Sequence, residues 1–73
     1  MKQFYLTPID GRRSFYNKCY VAEDIKSAIL FSYNTKICTL YFSGNRVIYE
    51  SGFKDSKTTR RHIKAFLSFY DVA

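Results

Sequence analysis

The side chains able to do chemistry are few in this chain, and their spacing argues against catalysis. His62 is its single histidine. A general base needs a nucleophile and an orienting group within reach, and no such set surrounds His62 in the sequence. It stands four residues before Phe66, at the edge of an apolar stripe, which predicts a packing or capping role. The six carboxylates, Asp10, Glu23, Asp24, Glu50, Asp55 and Asp71, fall in turns, at a strand end and near helix ends. No pair of them suggests a two-carboxylate hydrolase or a Mg²⁺ site. Cys19 and Cys38 form no Cys-x-x-Cys or Cys/His cluster, so zinc is not expected. Gly44 is isolated and Gly52 closes a strand, which leaves no glycine-rich loop to cradle a phosphate. These residues predict a protein that is not an enzyme and carries no cofactor or metal.

The functional signal lies in the combination of aromatic and basic residues. Seven Phe and seven Tyr stand among 73 residues, with no Trp. Each aromatic removes roughly 150–250 Å² from water when buried, so a domain this small can build a core from them. Fourteen exceed what such a core holds, and several Tyr must face solvent or a partner. The net charge is +6, which favours an anionic partner. Five of the twelve cations, Lys54, Lys57, Arg60, Arg61 and Lys64, cluster near the end of the chain. Arg12 and Arg13 form a second dibasic pair that joins them in one patch if the loop after Gly11 folds toward the helix. The macromolecule-binding residues expected from this pattern are Arg12, Arg13, Arg60, Arg61 and Lys64 for charge, with Tyr20 and Tyr41 for stacking or packing area. Nucleic acid, a protein partner and a second copy of the chain all suit such a surface; a small-molecule substrate or a membrane is not inferred. The short apolar run after Met1 is no leader and no stretch reaches membrane-spanning length. The expectation is a cytoplasmic protein with two reduced, buried thiols.

The elements that position these residues are short strands followed by one helix. Residues 3–6 read at most as a short strand, not counted in the sheet, and 7–11, with Pro8 and Asp10-Gly11, as a turn. Strands are expected at 15–22, 27–33, 36–42 and 46–50. A two-residue Gly44-Asn45 turn pairs Phe42 with Val47, Leu40 with Tyr49 and Cys38 with Ser51, placing all six on one face. An Asn34-Thr35 turn adds Ile29 and Phe31 to that core face and leaves Tyr41, Ile48 and Leu30 on the other. The register of the first strand stays open; Tyr16 and Tyr20 join the outer face in one of its two settings. Ser56 is a good helix N-cap. Thr59, Ile63, Phe66, Leu67 and Tyr70 then recur at helical spacing as the apolar stripe, with Lys57, Arg60, Arg61, Lys64 and Ser68 opposite. The prediction is a single α+β domain over residues 1–73: a four-stranded antiparallel sheet with one C-terminal helix packed on one face.

Three segments, Asp-Gly-Arg-Arg-Ser-Phe-Tyr at 10–16, Ser-Tyr-Asn-Thr-Lys at 32–36 and Thr-Thr-Arg-Arg-His-Ile-Lys-Ala-Phe-Leu at 58–67, resemble a family of short uncharacterised proteins from Gram-positive bacteria, their phages and mobile elements. The resemblance spans roughly residues 7 to 67, and Thr-Thr-x-x-His-Ile-x-x-Phe-Leu is its most specific part. It implies no activity, cofactor or catalytic residue. The setting implies one further role, an inhibitor that binds a host defence or nucleic-acid-processing protein in the anti-CRISPR manner. The leading expectation is a non-enzymatic protein that contacts nucleic acid or a nucleic-acid-bound complex; the alternative is that protein-binding inhibitor.

Overall fold

The computed structural model describes residues 1–9 and 15–72. Five strands, β1 (Lys2–Tyr5), β2 (Cys19–Glu23), β3 (Ser27–Ser32), β4 (Thr35–Tyr41) and β5 (Arg46–Tyr49), precede one helix, α1 (Lys57–Phe69). The strands form an antiparallel meander in chain order. The fold is thus the expected α+β arrangement with one strand more. The brief N-terminal stretch is a full edge strand, pairing Phe4 with Val21 and Tyr5 with Tyr20. The expected strand over 15–22 starts only at Cys19, because Tyr16 and Asn17 both take left-handed backbone (φ 54° and 60°). They form a turn closed by the Lys18 N–H donating to the Phe15 carbonyl.

The β3–β4 turn is built the same way. Tyr33 and Asn34 (φ 53° and 65°) occupy it, so Ser32 faces Thr35. The turn is one residue earlier than Asn34-Thr35, and Ile37 adds a bulge between the Leu30–Cys38 and Phe31–Lys36 pairs. The earlier turn slips the register by two and keeps parity; the bulge changes it by one, carries Leu30 into the core, fully buried, and moves Ile29 and Phe31 to the outer face, the reverse of the expectation. At β4–β5 a four-residue loop, 42–45, replaces the two-residue turn; Leu40 pairs with Val47 and Cys38 with Tyr49. That slip is two residues, which preserves parity, so Cys38, Leu40, Phe42, Val47 and Tyr49 keep the expected face. The β2–β3 turn is tied by Asp24, whose carboxylate accepts from the Lys26 and Ser27 N–H groups at 2.8 Å each.

Helix α1 starts at Ser56, whose hydroxyl accepts the Thr59 N–H. It ends in a Schellman arrangement: Asp71 N–H bonds the Ser68 carbonyl and Val72 N–H the Leu67 carbonyl. Asp71, at φ 56°, holds the left-handed position that glycine favours. The buried face is Thr59, His62, Ala65 and Phe66. It is rotated from the expected stripe; Ile63, Leu67 and Tyr70 lie half-buried at its flanks. The cause is His62, which is fully buried with its Nδ1 2.7 Å from the Ser32 hydroxyl. The core joins Val21, Leu30, Cys38 and Leu40 of the sheet to Phe66 and Ala65 of the helix. Cys19 and Cys38 are free and buried. They stand on β2 and β4 with β3 between, two strand spacings or about 9–10 Å across the sheet and two residues out of register along it, beyond the reach of a disulfide. Burial pushes each thiol up to about 12. No helix among the described residues is long and apolar enough to cross a membrane.

Candidate macromolecule-binding surfaces

The sheet separates the expected binding residues into two groups. Arg60, Arg61 and Lys64 ride on α1, which covers one sheet face. Tyr20 and Tyr41 lie on the other face, in register with Phe31 and Ser27. Arg12 and Arg13 fall outside the described residues.

On the helix side, Lys57, Arg60, Arg61 and Lys64 recur at i, i+3, i+4 and i+7, one stripe about 10 Å long at 1.5 Å rise per residue. Arg60 is clamped by Asp55 through two charge-assisted bonds, Nε to Oδ1 at 3.0 Å and Nη2 to Oδ2 at 2.9 Å. The pair raises the Arg60 pKa and lowers that of Asp55, chiefly through those hydrogen bonds. Arg61 lays its guanidinium 5.0 Å from the Phe15 ring centroid, which fixes its stem against the fold. Lys57 and Lys64 are exposed, and the first turn of α1 holds no acid.

Beneath the stripe, His62 sits edge-on to Phe15 (4.4 Å between ring centres) and stacked near Tyr33 (5.8 Å). Its Nε2 has no hydrogen-bond partner among the described residues. Burial, then the Arg61 charge, lowers its pKa. Ser32 and His62 are both sealed from solvent, and among the described residues no carboxylate bonds the ring. Among the described residues no three His, Cys, Asp or Glu side chains gather as metal ligands.

The outer sheet face carries an aromatic row. Tyr20 and Phe31 stack in parallel (4.8 Å, 6°), and Tyr5 meets Tyr20 edge-on at 5.9 Å. Lys36 extends the row across β4 and pairs with Glu50 at 3.7 Å. Tyr41, with Arg46 5.8 Å over its ring, and Ile48 complete the face, both exposed. Tyr5, Phe31, Lys36 and Arg46 are surface residues that sequence reasoning missed. The repeated Tyr-Asn pairs at 16–17 and 33–34 were the available signal for the register, since Asn tolerates the left-handed region.

These elements define a small α+β domain, a five-stranded meander capped on one face by a basic helix, with two surfaces facing opposite ways. The chain belongs to a family of unknown function, DUF8033, whose model matches residues 4–73. That membership agrees with the resemblance to short uncharacterised proteins. No curated protein and no solved structure matches the chain.

Proposed function

We propose that the protein is a non-enzymatic binding protein that contacts a nucleic acid, or a complex containing one, through the outer face of α1. The observation that carries this reading is the single cationic stripe of Lys57, Arg60, Arg61 and Lys64 on a chain of net charge +6. Cations at this spacing follow a phosphate backbone, and Arg61 is held in place before the partner arrives. Tyr20 and Tyr41 face away from that stripe. The parallel contact with Phe31 already occupies one face of the Tyr20 ring, which leaves it poorly suited to stack a base. The binding is therefore of the sequence-tolerant, electrostatic kind. Affinity for single-stranded and duplex oligonucleotides, measured across a salt series, is expected to fall with a log–log slope of several. Arg61→Ala with Lys64→Ala is expected to reduce the slope by about two. Absent or salt-insensitive binding refutes the reading.

A second reading rests on the outer sheet face, where Tyr41 and Ile48 remain 39% and 49% exposed beside the aromatic row. That surface suits a protein partner, the form an inhibitor encoded by a phage or mobile element takes. Ile48→Glu is then expected to abolish binding to a purified partner while the melting temperature is retained. A variant that binds like the parent removes this face from the interface.

A further inference from the structure

The N–H of Leu6 donates to the Cys19 carbonyl, which fixes the hydrogen-bonding phase of β1 against β2. In an antiparallel pair every second residue exchanges bonds with its neighbour. Leu6, Phe4 and Lys2 therefore point their backbone groups inward, at Cys19, Val21 and Glu23. Gln3 and Tyr5 point theirs outward, away from the sheet. Neither has a backbone partner among the described residues, and β1 is the terminal strand of the meander. No proline and no bulge lie within Lys2–Tyr5, and its one charged residue, Lys2, stands at the strand's start. Apolar side chains flank it on both sides of the sheet. Tyr5 is 59% exposed on the outer face, and Phe69, 56% exposed, leans on Phe4 at 5.1 Å on the helix face. A cleft of about 390 Å³ lies inward of β1, lined by Gln3, Phe4, Tyr5, Tyr20 and Asn34.

We propose that β1 pairs edge to edge with β1 of a second copy of this chain, joining two meanders into one ten-stranded sheet. Two donors and two acceptors at strand spacing call for another strand; a nucleic acid or a helix does not match them. The segment is also self-complementary. With Phe4 on the two-fold axis, Gln3 of each copy exchanges both backbone bonds with Tyr5 of the other, satisfying all eight outward groups with four hydrogen bonds. The two Phe4 side chains then meet at the close, non-hydrogen-bonded position. Both Phe69 rings converge on them from the helix side, and each Tyr5 lies opposite a Gln3 on the outer side. The two Lys2 residues stand about 13 Å apart at strand rise, beyond the ~8 Å screening length at physiological salt. Because the axis is perpendicular to the sheet, both helices emerge on the same side and their basic stripes face one partner together. The pairing itself does not depend on the proposed function.

The test combines solution mass with amide hydrogen exchange. The full chain is expected to have twice its 8.6 kDa mass at high concentration, dissociating on dilution. The Gln3 and Tyr5 amides are expected to be protected in the dimer and to exchange freely in the monomer. Gln3→Pro and Tyr5→Pro each remove one outward donor and no intrachain bond, a substitution edge strands tolerate. Both variants are expected to stay monomeric with native circular dichroism. A chain that remains at 8.6 kDa at millimolar concentration overturns the proposal. So does a dimer whose Gln3 and Tyr5 amides exchange like those of a free edge, even if both proline variants misfold.

Discussion

Lowering the pH from 7.5 to 5.5 is expected to destabilise the fold, and His62 sets the effect, which cannot exceed about 1.4 kcal/mol over the one pH unit below 6.5. The ring is fully buried, its Nδ1 engaged by Ser32 and its Nε2 without a partner among the described residues. Protonation would place a charge between Phe15 and Tyr33 with Arg61, a like charge, as its neighbour, so the folded pKa lies below the ordinary 6.5. Between that lowered value and 6.5 the unfolded chain binds a proton that the folded chain does not. Acidification through this window therefore pulls the equilibrium toward unfolding. The contribution is complete above 6.5 and declines by about 1.4 kcal/mol per pH unit until the folded pKa is reached. Asp24 and Asp55, both lowered from 3.8, titrate beneath the window. A 73-residue domain has a total stability of roughly 4–11 kcal/mol, and a urea slope near 1 kcal/mol/M makes the loss a downward shift in midpoint of up to about 1.4 M. Urea melts at pH 7.5, 6.5 and 5.5 measure it directly. His62→Gln is expected to abolish the dependence. A flat parent profile, or a His62→Gln variant that keeps the slope, would refute the placement of His62 as a neutral buried group.

Other perturbations separate the remaining parts of the reading. Asp71→Gly relieves a left-handed aspartate and removes a negative charge from a helix C-terminus, so thermal melting should show a gain of about 1 kcal/mol, or roughly 4–8 °C. Leu30→Ala is expected to cost about 2–5 kcal/mol by denaturant titration and Ile29→Ala well under half as much; equal costs would mean that the faces of β3 are misassigned. Asp55→Ala releases Arg60 from its clamp and raises the +6 net charge by one. In oligonucleotide titrations it is expected to tighten binding at low salt and steepen the slope by up to about one; weaker binding would show that the clamp presents Arg60 rather than withholding it.

What was legible from sequence follows from how each feature is encoded. The core face of β4 and β5 survived a mistaken loop because a slip of two residues leaves every side chain on its own side. The face of β3 did not survive, because the bulge at Ile37 shifts the register by one, whereas moving the turn from Asn34-Thr35 to Tyr33-Asn34 shifts it by two and alone keeps parity. Tyrosine seldom takes positive φ, so Tyr33 did not read as a turn residue, although Tyr16-Asn17 repeats the same device. Helix α1 was legible in extent because its N-cap acts locally. Its rotation was not, because His62 counts as polar until Ser32, thirty residues away, is known to receive it. The candidate surface divides along the same line. The spacing of Lys57, Arg60, Arg61 and Lys64 is a property of one helix and stands in the sequence. The clamp is nearly as local: Asp55 immediately precedes the N-cap and Arg60 lies one turn on, a pairing of positions more often filled by two apolar residues. The outer aromatic row and the free β1 edge depend on register, which a meander settles only once every turn is known. In so small a domain one unforeseen bulge exchanges core for surface, whereas charge carried on a single helix is immune to that error. This is the physical reason to anchor the proposed function on the stripe and to let solution mass decide the edge.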